Sequence, residues 1–288
     1  MISWGQHMKL GRLGPVGQEK PAILDADGHW RDLSDHVDDL TPKSIAAGVL
    51  ERIAGIDPTG LPLAPSGQRV GSCLGDIRNF FCIGLNYAQH AEETGAEKPK
   101  EPIVFSKSTS SICGPNEPII IPRGSEKTDW EVELGVIIGK RAHYIDEDSV
   151  LDHVAGYCVI NDVSERSHQT ERGGQWIKGK SNENFAPTGP YFVTKDEVAD
   201  PQKLRLWLKL NDKMVQDNFT SDMIFNIRQI ISYMSQFMIL EPGDVIATGT
   251  PEGVGMGMRP QVFLKPGDLV ELGVEQLGEQ RQEVVAAS

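Results

Sequence analysis

Two glutamates, Glu131 and Glu133, stand two residues apart in the stretch TDWEVELGVIIG, residues 128 to 139. The apolar residues around them predict a buried strand. Because successive side chains of a strand alternate between its two faces, both carboxylates point to the same side. Two like charges a few ångströms apart in an interior are very unfavourable unless a proton or a cation offsets them. The stretch therefore indicates a cation-binding strand.

A third carboxylate, Asp162, ends a second strand-like stretch, GYCVIND. Three carboxylates from two strands suit a hard divalent ion with oxygen ligands, Mg²⁺ or Mn²⁺, and leave positions open for water and substrate. A Glu-x-Glu pair taken alone is more often a solvated strand face. Here the flanking residues are too apolar for an edge strand, and basic and polar side chains follow Asp162 closely, which favours the metal site.

Three further groups could take part in chemistry. His90 and Glu93 are three residues apart in NYAQHAEE, so on a helix they share a face, and a carboxylate beside an imidazole holds its tautomer and raises its basicity. Lys180 lies in the loop GKSNENFAPTGP, and Thr250 in the glycine-rich turn IATGTPEGVGMGM, which could bind an anion. Taken singly, the His90–Glu93 pair and Lys180 are more often ordinary surface groups.

The elements that would position these residues are mostly strands. Short strand-like segments separated by Gly and Pro recur from about residue 71 onward, and IFNIRQIISYMSQFM is the clearest long helix, with apolar residues from Ile227 to Phe237. Residues 8 to about 70 form a small unit with a strand pair turning at Asp27-Gly28, a helix over SIAAGVLERIAG and a Pro/Gly-rich linker. We predict an α+β, mostly β fold, with a small N-terminal α/β domain (1–70) and a β-roll or sandwich domain (71–288).

Composition excludes several classes of protein. The chain has 288 residues and a formal net charge of −13, without a basic block, so neither nucleic acid nor a membrane is an expected partner. The N-terminus has no apolar signal core, and Met8 as well as Met1 could be the native start. Four cysteines without CxxC spacing suit buried, reduced thiols in the cytoplasm.

Six motifs together resemble the fumarylacetoacetate hydrolase family: IGLNYAQHAEE, FSKSTSSICGPNEPIIIP, DWEVELGVIIG, GYCVINDVSER, KGKS and EPGDVIATGTPEGVG. They cover roughly residues 71 to 277 in the family's order. The resemblance implies Mg²⁺ or Mn²⁺ held by Glu131, Glu133 and Asp162, and catalysis by His90, Glu93 and Lys180. It also implies a set of substrate-binding residues, which are Tyr87, Lys107, Arg166, Gln169, Gly249 and Thr250.

The resemblance further implies a homodimer or a dimer of dimers that acts on a small keto acid. The bacterial subgroup it suggests includes 2,4-diketo-3-deoxy sugar acid hydrolases and proteins labelled ureidoglycolate lyase. The expected reaction is hydrolysis of a carbon–carbon bond in a 2,4-diketo acid, giving pyruvate and a second carboxylic acid through a metal-stabilised enolate. The alternatives are ureidoglycolate lyase, oxaloacetate decarboxylase and 2-hydroxyhepta-2,4-diene-1,7-dioate isomerase activity. A metal-stabilised binding scaffold without turnover is the non-enzymatic alternative.

Overall fold

A computed structural model describes residues 8–288, so the choice between Met1 and Met8 as the start concerns residues outside this range. Within it, no helix has both the length and the apolar character needed to span a bilayer. The secondary structure is dominated by strands that form two large sheets, and the predicted α+β, mostly β class is confirmed.

The larger sheet has nine strands, which in chain order are β1 (Lys9–Leu13), β2 (Lys20–Leu24), β3 (Trp30–Asp32), β4 (Phe80–Gly84), β5 (Ile103–Lys107), β9 (Val132–Ile138), β10 (Val154–Asn161), β13 (Phe192–Thr194) and β16 (Val245–Ala247). They lie in the order β3-β2-β1-β13-β10-β9-β16-β4-β5. Neighbouring strands are antiparallel except β16 and β4, which are parallel.

The remaining strands are β6 (Ile112–Cys113), β7 (Ile119–Ile121), β8 (Thr128–Asp129), β11 (Ser164–Glu165), β12 (Ala186–Pro187), β14 (Arg205–Leu210), β15 (Lys213–Phe219), β17 (Leu269–Val274) and β18 (Gly278–Ala286). Five of them form the second sheet, in the order β15-β14-β17-β18-β7, and the others form the two short pairs β11-β8 and β12-β6.

Alternation along β9 divides the core into two layers. Val132, Leu134 and Val136 belong to the apolar cluster shared with the five-stranded sheet. Ile137 faces the other way, into a cluster that contains residues of the N-terminal helices. Glu131 and Glu133 are an even number of residues from Ile137 and lie on its face of the strand. They therefore point away from the five-stranded sheet, as the two-residue period predicts.

The helices are short and connect the strands. They are α1 (Pro42–Ala46), α2 (Val49–Ile53), α3 (Ala88–Glu93), α4 (Val150–His153), α5 (Arg166–Thr170), α6 (Ile177–Lys180) and α7 (Ile227–Ser235). In α7 the N-cap Asn226 and Gln229 form a capping box, which fixes its start. The expected helix ran to Phe237, but α7 ends at Ser235 and Phe237 is 68% exposed. That part of the prediction is wrong because Phe237 lies past the last turn.

The single helix predicted over SIAAGVLERIAG is also wrong. The structure has α1 and α2 separated at Gly48, whose φ of +73° is a left-handed conformation that interrupts an α-helix. The two short helices still bury Ile45, Val49 and Ile53, the apolar side on which the prediction rested.

The N-terminal segment is continuous with the larger sheet. β1 pairs antiparallel with β13, and β2 and β3 follow outward from it, with the predicted turn at Asp27-Gly28 between them. Residues 8 to 70 therefore extend the sheet that carries the acidic residues. A domain boundary near residue 70 stays a prediction about folding units.

Gly156 of β10 leaves no room for a side chain against the neighbouring strand β13. A Cβ on Gly156 would lie 2.1 Å from the Val193 carbonyl oxygen of β13. We expect Gly156→Ala to lower the free energy of unfolding by at least about 1–3 kcal/mol, since backbone must move to relieve the overlap. Gly55→Ala, where a Cβ meets no atom within 4 Å, is the matched control. Urea denaturation measures both, and equal stability of the two variants would contradict the prediction.

Candidate active site and metal centre

The antiparallel pair β9–β10 brings the three predicted metal ligands together. Glu131 lies one residue before β9, Asp162 lies one residue after β10, and the register pairs Asn161 with Val132. The Asp162 N–H donates to the Glu131 carbonyl oxygen at 2.9 Å. One carboxylate oxygen from each of Glu131, Glu133 and Asp162 lies within 4.8 Å of the others, and all three residues are buried.

The electrostatics of the cluster are uneven. Burial, and then the charges of Asp162 and Glu131, raise the pKa of Glu133 well above its usual range. Burial also acts to raise the pKa of Glu131, but the charges of Lys180 and Arg166 outweigh it and lower that pKa to about 2. Of the three carboxylates, Glu133 is thus the one whose ionised form is most disfavoured by its neighbours. A cation among the three carboxylates would relieve this repulsion.

Lys180 bridges two of these carboxylates. Its ammonium donates to Glu131 Oε2 at 2.7 Å and to Asp162 Oδ2 at 2.8 Å, at the end of α6. Lys107 donates to the other oxygen of Asp162 and, at 3.0 Å, to the Val163 carbonyl oxygen. Both lysines therefore orient the acidic cluster directly, and a contact of Lys107 with substrate stays a prediction.

Arg166 and Gln169 both lie on α5 and are buried at the same cluster. Arg166 Nη1 contacts Glu131 Oε1 at 2.7 Å and donates to Gln169 Oε1 at 3.0 Å. Arg166 Nη2 and the hydroxyl of Tyr87 are buried atoms without a hydrogen-bond partner in the described structure. Unpaired buried polar groups are costly, so these two atoms are candidates for contacts with a bound molecule.

The predicted His–Glu pair is formed on α3. His90 Nδ1 lies 2.9 Å from Glu93 Oε1, and His90 is 5% exposed. The carboxylate favours the proton on Nδ1, which leaves the lone pair on Nε2. Glu93 Oε2 accepts the Gly253 N–H at 2.9 Å, and Gly249 of the same turn donates its N–H to Glu133, so the pair adjoins the acidic cluster. The geometry suits a general base.

The glycine-rich turn after β16 contacts the cluster through its backbone. The Gly249 N–H donates to Glu133 Oε2 at 2.8 Å. The Thr250 hydroxyl donates to the Val132 carbonyl oxygen and accepts from the Gln216 amide, both at 2.9 Å. The structure thus uses these groups to hold β9, and their predicted contacts with substrate stay predictions.

Sequence reasoning missed Asp129, which is fully buried and pairs with Arg166 Nε at 2.8 Å. A signal was available, because Asp129 precedes Glu131 at the same two-residue spacing. The spacing was not followed up because the predicted strand was taken to carry only the two glutamates. In the structure Asp129 lies on the separate short strand β8, whose partner is β11.

The described residues contain one other group that could hold a cation, Asp25, Asp27 and His29 in the β2–β3 turn. Asp27 and His29 are exposed there, and Asp25 already accepts from Arg31 Nε at 2.7 Å. The cluster of Glu131, Glu133 and Asp162 provides only hard oxygen ligands. The charges of its neighbours disfavour the ionised form of Glu133, and a bound cation would offset them. These residues fit Mg²⁺ or Mn²⁺.

A family model described as "Fumarylacetoacetate (FAA) hydrolase C-terminal" matches residues 79–285. The chain belongs to the fumarylacetoacetate hydrolase family. All of the predicted site residues, from Tyr87 to Thr250, fall within the segment that matches this family. The resemblance inferred from the six motifs is thereby confirmed.

Three relatives show how far the similarity to this family extends. A curated protein of Burkholderia lata, named only as a hydrolase, is 59% identical over 276 residues, covering 96% of this chain and 98% of that protein. The structure of fumarylacetoacetate hydrolase from Exiguobacterium antarcticum has a TM-score of 0.86 and 34% identity, with 97% and 100% of the chains covered. A probable 2-hydroxyhepta-2,4-diene-1,7-dioate isomerase from Mycobacterium abscessus has a TM-score of 0.84 and 28% identity, with 98% and 100% covered.

Proposed function

We propose that the protein is a divalent-metal-dependent hydrolase that cleaves a 2,4-diketo acid into pyruvate and a second carboxylic acid. The observation that carries the proposal is the position of the oriented His90–Glu93 pair beside three carboxylates that share one small volume. The family includes hydrolases and isomerases, which agrees with the class of reaction. A 2,4-diketo-3-deoxy sugar acid is the favoured type of substrate.

Glu131, Glu133 and Asp162 would hold Mg²⁺ or Mn²⁺. Such an ion, when bound, supplies Lewis-acid polarisation and a template for the carboxylate and 2-keto oxygens of the substrate. Lys107 and Lys180 fix the orientation of these ligands, because their ammonium groups bind Asp162 from two directions. The unpaired Nη2 of Arg166 and the Tyr87 hydroxyl supply donors for substrate oxygens.

The proton chemistry belongs to the His–Glu pair. His90 Nε2 takes a proton from water, and the resulting hydroxide attacks the carbonyl at carbon 4. The bond between carbons 3 and 4 then breaks, and its electron pair passes to the pyruvate fragment as an enolate. A proton at carbon 3 completes pyruvate, so one water is consumed. The ammonium of Lys180, which contacts Glu131 and Asp162, would offset the negative charge of the enolate and favour that step.

A second candidate is isomerisation of a 2-hydroxydienedioate, which is favoured by the isomerase among the structural relatives. The same His–Glu pair could move a proton between carbons without activating water. Decarboxylation of oxaloacetate and elimination of urea from ureidoglycolate are further alternatives that use related substrates. Decarboxylation needs no activated water, so the His90–Glu93 pair does not favour it.

A substrate screen tests the proposal. We expect pyruvate release from 2,4-diketo acids in the presence of Mg²⁺ to exceed turnover of oxaloacetate, ureidoglycolate and a 2-hydroxydienedioate. Lactate dehydrogenase coupling measures pyruvate, and a glyoxylate assay and ultraviolet absorbance follow the others. A larger rate on any other substrate would replace hydrolysis by that reaction, and no turnover of any would favour a binding protein.

Assembly and location are also proposals. A homodimer or a dimer of dimers follows from the family resemblance, and light scattering with size-exclusion chromatography measures it. The four buried, unpaired cysteines suit a reducing compartment such as the cytoplasm.

A further inference from the structure

Asp129 is a fourth buried carboxylate beside the acidic cluster, but both of its oxygens are already engaged. Its Oδ1 accepts the N–H groups of Trp130 at 2.9 Å and Gly255 at 2.7 Å. Its Oδ2 accepts the Met256 N–H at 2.9 Å and Arg166 Nε at 2.8 Å. Four donors around one carboxylate leave it poorly suited to ligate an ion, so its effect on the site must pass through these contacts.

The most direct of these contacts leads to a metal ligand. The Arg166 guanidinium lies between two carboxylates, with Nε on Asp129 and Nη1 on Glu131 at 2.7 Å. Asp129 therefore competes with Glu131 for the charge of Arg166. Without Asp129, the whole guanidinium charge would act on Glu131 and weaken its attraction for a cation.

The balance of charges in the buried centre also indicates that Asp129 favours the binding of a cation. Buried carboxylates and buried cations alternate there through hydrogen bonds. The alternating carboxylates are Asp129, Glu131 and Asp162, and the cations are Lys107, Arg166 and Lys180. Glu133 is a fourth buried carboxylate beside them and accepts the Gly249 N–H. Once a bound cation has favoured the ionised form of Glu133, the four carboxylates exceed the three cations by one negative charge. Loss of the charge on Asp129 removes that excess, so a divalent ion would enter a neutral centre.

We infer that Asp129 is a positioning residue of the metal centre, which holds Arg166 and offsets its charge so that Glu131 remains available to the ion. The inference rests on the proposed function, because it assumes that the cluster binds a divalent cation. Asp129 also connects the acidic cluster with the His90–Glu93 pair through one turn. It binds the N–H groups of Gly255 and Met256, while Glu93 Oε2 accepts the Gly253 N–H of the same turn at 2.9 Å.

The test is Mn²⁺ binding to Asp129→Asn, measured by calorimetry and by the electron paramagnetic resonance signal of free Mn²⁺. We expect binding roughly 10- to 100-fold weaker than in the wild type, the range that outer-shell partners of metal ligands show. Asp244→Asn is the matched control. Asp244 is also buried and accepts a backbone N–H and a side-chain amide, both at 2.9 Å, but it lies just before β16.

A second variant separates the charge effect from general damage. Arg166→Gln removes the cation that Asp129 offsets, so Asp129→Asn combined with Arg166→Gln should bind Mn²⁺ more tightly than Asp129→Asn alone. Thermal unfolding of the metal-free proteins monitors the fold. If Asp129→Asn does not fold, Arg166→Gln alone carries the test, with Mn²⁺ binding at least as tight as in the wild type.

The outcomes are distinct. Unchanged Mn²⁺ affinity in Asp129→Asn, or a double variant weaker than Asp129→Asn, overturns the role of Asp129. Weaker binding in Arg166→Gln than in the wild type does the same. A wild-type protein that binds no Mn²⁺ overturns the metal-dependent function itself, so the two failures are distinguishable.

Discussion

Removal of divalent metal with a chelator is expected to abolish turnover, and added Mg²⁺ or Mn²⁺ to restore it. The reason is the close approach of Glu131, Glu133 and Asp162, whose ligand oxygens lie within 4.8 Å of one another in a buried centre. Glu133→Gln should weaken Mn²⁺ binding by at least roughly the 10- to 100-fold that an outer-shell change costs, since it removes a charged hard ligand.

Glu133→Gln also separates metal binding from folding. The pKa of Glu133 is raised by burial and by its two carboxylate neighbours, so the neutral glutamine relieves a repulsion. The metal-free variant should be at least as stable to heat as the metal-free wild type. Glu283→Gln, an exposed position on β18, is the control. Full activity of protein that elemental analysis shows to be metal-free would refute the metal requirement.

His90→Ala is expected to lower hydrolysis of a 2,4-diketo acid by roughly 10² to 10⁴, the usual contribution of a general base. Mn²⁺ binding should remain, because His90 is not among the proposed ligands. Any decarboxylation of oxaloacetate should fall much less, because that reaction requires no activated water. His29→Ala, at an exposed histidine of the β2–β3 turn, controls for loss of a histidine as such.

Lys180→Ala gives the complementary pattern. Lys180 contacts Glu131 and Asp162, and its proposed role is to offset the enolate charge common to both reactions, so both hydrolysis and decarboxylation should decrease. A general loss of stability lowers both activities together, so it cannot produce the selective loss of hydrolysis expected of His90→Ala. If His90→Ala lowered both activities by the same factor, water activation would be the wrong role, and the pair would act on the enolate instead.

The strand period was enough to predict that Glu131 and Glu133 share a face, because the alternation of a buried strand is a local property. The three-residue spacing of His90 and Glu93 likewise predicted their contact on α3, which the structure shows at 2.9 Å. Both predictions depend only on residues that are close in sequence, so they could be made without knowledge of the fold.

The parts that were not predicted depend on partners far apart in the chain. The sequence of β15 is mostly polar, so the apolar pattern gives no signal for it, yet Gln216 is buried there and its amide binds Thr250 and Val132. The Lys107–Asp162 contact joins residues 55 positions apart. Local patterns carry no information on such pairs, which explains why both residues were assigned to the site without their mutual contact.

The position of β16 determines when the sheet can be completed during synthesis. β16 lies between β9 and β4 but is encoded more than a hundred residues after β9 begins. A nascent chain that emerges from its N-terminus therefore carries two incomplete half-sheets, with unpaired edges at β4 and β9, until Ala247 is available. Gly249, which binds Glu133, emerges two residues later. The edges are thus closed and the acidic cluster is completed by the same late segment.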